Sequence, residues 1–104
     1  MKFWAREVKS GQQYEAKILE GFYLNITHVS LGEVDEESKE FCLVHIIVNG
    51  KKLVVAALDR MWLPSEFVNV VCFKNFHISH TLSKGSVYLY GTLEELEESP
   101  KKGV

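Results

Sequence analysis

Residues 41–58 constrain this chain more than any other stretch. Two apolar runs, one from Phe41 to Val48 and one from Lys51 to Leu58, are joined by Asn49-Gly50. That dipeptide suits a two-residue type I′ turn, because both turn positions need a positive φ, which Asn tolerates and Gly accepts freely. The stretch is therefore expected to be a β-hairpin. Neither arm alternates cleanly between apolar and polar. A strand with one wet face carries a polar group at every second residue, yet Phe41, Leu43 and Ile47 point one way while Cys42, Val44, Ile46 and Val48 point the other. Both faces must then be covered, and 104 residues are too few to do this within one chain. Self-association follows from periodicity alone. The face with Val44, Ile46 and Val48, continued by Val54 and Leu58, is assigned to the contact between subunits.

The remaining sequence bounds this reading. The length fits one domain, and a hydrophobic content of 46% is enough for a core. A net charge of −2 argues against nucleic-acid binding, which usually leaves a basic stripe. No apolar run approaches the ~20 residues of a membrane span. The opening residues do not read as a signal peptide, so an intracellular chain is expected. Cys42 and Cys72 both lie in apolar, strand-like runs and are expected to be buried thiols rather than a disulfide.

In chain order, residues 3–9 read as a short strand, 12–21 as a polar connection and 22–31 as a half-exposed strand with Phe22, Leu24, Ile26 and His28 on one face. Residues 32–40 form an acidic loop with Glu33, Asp35, Glu36, Glu37 and Glu40 against Lys39. After the hairpin, Pro64 interrupts the chain, because proline donates no ladder hydrogen bond. Three more strands are predicted, at 67–73, 76–82 and 86–93, the last two joined around Gly85. Residues 94–104, acidic and then basic, lack the apolar content to fold and read as a tail or linker beyond a domain at 1–93. Seven or eight short strands with regular turn signals indicate an all-β sandwich or barrel, and the jelly roll is the closed form that fits this number.

Catalytic chemistry is sparse. His77 and His80 are three apart in a strand, so they face opposite sides and cannot chelate one metal as a helical pair could. His28 and His45 stand alone in apolar strands. No close pair among these histidines, Cys42 and Cys72 has zinc-ligand spacing, so no metal or other cofactor is expected. Ser79 lies beside His80 but in no nucleophile elbow, and strand neighbours diverge. The Ser79-His80-Thr81 segment is read as structural. Asn25-Ile26-Thr27 matches a glycosylation sequon and is read as part of a strand. The acidic stretch is either a solvated loop or a surface for basic partners, since clustered like charges attract polycations.

Phe3-Trp4, Val8-Lys9 and Gly11 resemble the opening of the nucleoplasmin-like domains found in plant nucleolar histone deacetylases and nuclear FKBP-type prolyl isomerases. Leu31-Gly32-Glu33, Asn75-Phe76, Ser79-His80-Thr81, Lys84-Gly85-Ser86-Val87 and Gly91 continue the resemblance over nearly the whole chain. It implies an eight-stranded jelly roll assembled as a ring of five, sometimes stacked into a decamer, acting as a histone-chaperone core in the nucleus or nucleolus. Ala5 replaces a usual glycine, and the long acidic tract of the family is missing from these residues. A histidine proposed as catalytic in the plant deacetylases falls opposite Asn25 rather than His28, so that chemistry is not carried over. Two readings stand: a non-catalytic oligomerisation and chaperone module, with Glu33, Asp35, Glu36, Glu37 and Glu40 as the rim for basic partners, or an enzyme of deacetylase-like or metal-dependent jelly-roll type.

Overall fold

Asn49 and Gly50 both adopt positive φ, 51° and 76°, and fold the central stretch back on itself as the type I′ turn requires. The computed structural model describes residues 1–33 and 39–96. Its strands are β1 (Lys2–Lys9), β2 (Tyr14–Ala16), β3 (Phe22–Leu31), β4 (Phe41–Val48), β5 (Lys51–Asp59), β6 (Ser65–Cys72), β7 (Phe76–His80) and β8 (Ser86–Glu95). They form two four-stranded sheets, ordered β1-β8-β3-β6 and β2-β7-β4-β5, with every pairing antiparallel. This order is that of an eight-stranded jelly roll, as expected. Strand β2 lies in the segment read as a connection. Its three residues pair only with β7, and so short a run carries no periodicity to recognise. Strand β8 runs two residues past the expected domain end at 93.

The core lies between the sheets. Val8, Ile26, Val29, Val44, Leu58, Ile78, Val87 and Leu89 are fully buried there, and Leu24 and Phe76 nearly so. Two β-bulges decide which residues face it. In β3 the register slips between Ile26 and His28 against both neighbours: against β8 the extra residue is Thr27, against β6 the extra residue lies on β6 between Phe67 and Val70, and the buried positions of β3 run Leu24, Ile26, Val29. The expected grouping of His28 with Leu24 and Ile26 is therefore wrong. A second slip, at Val44/His45, leaves Val55 extra, so Ala56 and Leu58 point inward while Val54 pairs with His45 on the outer side.

Between β5 and β6 the chain turns tightly. Asp59 and Leu63 exchange backbone hydrogen bonds of 2.8 and 2.9 Å, and Asp59 Oδ1 accepts from the amides of Met61 and Trp62. Pro64 sits just outside β6, where its missing donor costs nothing and its carbonyl accepts from the Leu31 amide at 2.8 Å.

Candidate oligomerisation and partner-binding surfaces

The interface residues expected from the sequence divide. Val44, Ile46 and Leu58 belong to the chain's own core and are removed from any contact between subunits, because the second sheet already covers them. Val48 is half-buried at the end of β4. Val54, turned outward by the bulge, is 56% exposed. The opposite face of β4, with Phe41, Leu43, His45 and Ile47, is the side that the single chain leaves open in part.

A larger open surface lies on the other sheet. Phe3, Tyr90, His28 and Phe67 form a row of rings across β1, β8, β3 and β6 in turn, with centroid separations of 6.5, 5.6 and 5.0 Å. Register explains the row: Tyr90 is paired with His28, and His28 with Phe67. At its ends Phe67 is 85% exposed and Phe3 is 74% exposed. Tyr88 stacks beside Tyr90 at 6.3 Å. The negative charge of Glu7, partial burial, and the charges of Tyr90 and Glu33 push the Tyr88 phenol above its ordinary value. Sequence reading missed this row, since it requires knowing that β8 lies between β1 and β3. The available signal was the outward spacing of two between Tyr88 and Tyr90.

At the free edges of the two sheets, β5 and β6 border an open groove of about 790 Å³, lined by Leu53, Val54, Val71, Phe73 and Lys74 among others. Leu53, Val71 and Phe73 are exposed.

Of the expected acidic rim, Glu33 and Glu40 lie among the described residues. The carbonyl of Glu33 accepts from the Ser86 amide at 3.0 Å, and the Glu40 carboxylate accepts from the Ser83 amide and hydroxyl at 3.0 and 2.9 Å. Glu40 is thus tied to the β7–β8 loop and Glu33 to the first residue of β8. Asp35, Glu36 and Glu37 lie outside the described residues. Lys39 and Arg60 line one pocket with Glu40 and Asp59, so the charges of this described patch balance.

The histidines are dispersed. His28 belongs to the aromatic row, and His45 pairs with Val54. Burial and then the charge of Lys52 lower the pKa of His45. His80 Nε2 donates to the Val8 carbonyl at 2.8 Å while Nδ1 accepts from the Leu82 amide at 3.3 Å. One ring thereby ties β7 to β1, across the two sheets, and both bonds require the neutral Nε2–H tautomer. Burial lowers its pKa, partly opposed by the bond to Val8. Thr81 Oγ1 accepts from the Leu43 amide at 2.9 Å, so the Ser79-His80-Thr81 segment makes cross-strand bonds. Cys42 and Cys72 are free, buried thiols. Burial pushes Cys42 up to about 11 and Cys72 upward as well, which keeps both protonated and unreactive. Among the described residues no three His, Cys, Asp or Glu side chains form a metal-binding group.

Comparison with known proteins agrees with this architecture. Residues 3–94 match the nucleoplasmin-like domain. The histone deacetylase HDT1 of Arabidopsis thaliana is 38% identical over 91 residues, 88% of this chain and 37% of that protein. Its counterpart in Solanum chacoense is 35% identical, again over 88% of this chain and 34% of its own length. The chain thus spans about a third of the length of these relatives. In structure it superposes on the Drosophila NLP core, described in terms of pentamer formation and histone binding, with a TM-score of 0.78 and 16% identity over 91% of this chain and all of the other. The nucleoplasmin-like N-terminal domain of Drosophila FKBP39 gives a TM-score of 0.70 at 17% identity, over 95% of this chain and 94% of that one. The chain belongs to the nucleoplasmin-like domain family.

Proposed function

We propose that this chain is a homo-oligomeric, histone-chaperone-type core of a nuclear protein, without catalysis of its own. The observation that carries this is apolar surface left open after the core is complete: the row ending in Phe3 and Phe67, and the groove at Leu53 and Val54. Monomeric proteins seldom expose contiguous apolar surface on this scale, and large exposed patches mark contacts. A pentamer is the assembly proposed, in keeping with the subject of the NLP-core structure, and stacking of two rings would give a decamer. The proposed location is the nucleus, including the nucleolus, with histones or similarly basic proteins as partners. The activity that names the deacetylase relatives is assigned to regions beyond the third of their length matched here. In support, His28, His45 and His80 have separate environments, and among the described residues their recorded contacts include no nucleophile with an orienting group.

In a ring the acidic segment of each subunit repeats around one rim, and five modest charges become one field for a polycation. Changing Asp35→Asn, Glu36→Gln and Glu37→Gln together, while keeping Glu40 because it holds Ser83, should preserve the oligomer and weaken histone binding about tenfold or more at low salt. Light scattering and a histone titration in rising salt check this, because exposed charges are screened over ~8 Å at physiological ionic strength. Equal binding by the neutralised ring would show that the segment is only a solvated loop. Deacetylation of an acetylated histone peptide by the purified chain would overturn the non-catalytic reading.

A further inference from the structure

We propose that subunits join head to tail, the aromatic row of one copy seating in the β5/β6 groove of the next. This rests on the oligomeric reading above and specifies its surfaces. A ring requires heterologous contacts, in which each subunit presents two different patches that fit one another. The chain has two such patches, unlike in shape. The row Phe3-Tyr90-His28-Phe67 is a ridge of rings standing on a sheet, and the groove beside Leu53 and Val54 is concave.

Their charges are complementary as well. The carboxylates of Glu7 and Glu33 act on Tyr88 in the row's flank, and Glu94 is paired with Tyr23 on the same sheet. The groove is lined by Lys74, and Lys51 and Lys52 precede Leu53 on the exposed end of β5. Acid-flanked rings therefore meet a lysine-flanked hollow, which favours row-on-groove over row-on-row contact.

Direction adds a third argument. The face of a two-layer sandwich and its open edge look outward roughly a quarter turn apart. Head-to-tail contacts close into a ring of four when the two directions differ by about 90°, and of five at about 108°, whereas opposed patches produce filaments. A face and an adjoining edge thus generate a small closed ring, with sheet twist supplying the remaining angle.

Complementation between variants tests this directly. Phe67→Glu damages the row and Val54→Glu damages the groove; both side chains are exposed, so folding should survive, as circular dichroism and a cooperative melt will show. Each variant alone should sediment as a monomer at micromolar concentration. Mixed in equal amounts, they should form a heterodimer and stop there, because one intact row meets one intact groove and the other pair is damaged. If either glutamate variant fails to melt cooperatively, Phe67→Ser or Val54→Thr replaces it, with weakened assembly alone and the same rescue on mixing expected. A ring retained by either glutamate variant would overturn the proposed surfaces while leaving the oligomer intact. Dimerisation of one variant by itself would show like-to-like contact, and no association on mixing would show that row and groove do not fit one another; either result overturns the proposed surfaces. A monomeric wild type would remove the oligomeric reading, and this inference with it.

Discussion

Gly91→Ala should destabilise the domain by about 3 kcal/mol or more, enough to lower Tm by more than ~10 °C in a domain of this size. Gly91 lies in β8, paired with Trp4 of β1 and Ile26 of β3. Its need for glycine is one of space. A Cβ there would collide with the Asn25 carbonyl oxygen and stand 3.0 Å from Ile26 Cα, both main-chain atoms of the adjoining strand beside the Thr27 bulge. Backbone in mid-sheet cannot rotate away as a side chain can, so β3 and β8 would have to separate. Gly32 provides the contrast. A Cβ there would meet the Ser86 hydroxyl at 2.5 Å and the Tyr88 ring at 2.6 Å, groups able to turn aside in part, so Gly32→Ala should cost less. Thermal melts of the two variants beside the wild type decide the matter, and an unchanged Tm for Gly91→Ala would show that the bulge is not a fixed feature.

The second large effect is expected at His80. Replacing it with Ala removes the partners of a buried carbonyl and a buried amide, those of Val8 and Leu82, each costing roughly 1–3 kcal/mol when left unsatisfied. A further loss with acid should occur in the wild type. The folded chain holds His80 neutral with a pKa below the ordinary 6.5, so near that value the unfolded chain binds protons that the folded chain refuses. Its contribution is complete above pH 6.5. It is lost as pH falls through the folded pKa, with a slope of up to about 1.4 kcal/mol per pH unit in between. His80→Gln retains a donor but does not titrate, so its melting temperature should fall less from pH 7 to pH 5. Parallel acid sensitivity in both proteins would place the titration elsewhere.

The hairpin, the all-β class and the jelly-roll count were legible because Asn49-Gly50, Pro64 and Gly85 punctuate the chain at the spacing of short strands. Faces were less legible than strands. Alternation assumes an unbroken pleat, and one extra residue at Thr27 or Val55 reverses every side chain beyond it. The bulge at Thr27 moved His28 from an expected core face to the aromatic row, and that at Val55 turned Val54 outward. Self-association was inferred from the double apolar pattern of β4, but Val44 and Ile46 are spent on the core. The unpartnered rings stand on strands far apart in sequence, where no local window can bring Phe3 beside Tyr90. His80 was legible as part of a structural, hydrogen-bonding segment, but its partner on Val8, 72 residues away, was not. The acidic stretch was legible as composition, but the use of Glu40 to hold Ser83 was not.

The pairing of β1 with β8 sets the order in which this domain can be completed. Val8 lies opposite Val87, and Lys2 opposite Leu93, so the first strand made during synthesis finds its sheet partner only in the last. Strand β3 also waits for β8, which it pairs along most of its length. Until the final strand leaves the ribosome, β1 and the β3–β6 pair of that sheet stand apart, and the backbone groups that β8 will meet are unpaired. Such long-range closure places jelly rolls among slow folders, in milliseconds to seconds, and exposes the nascent chain to wrong pairing meanwhile. A truncation that removes β8 therefore does more than shorten the domain: it deletes the one strand on which the pairing of two others depends.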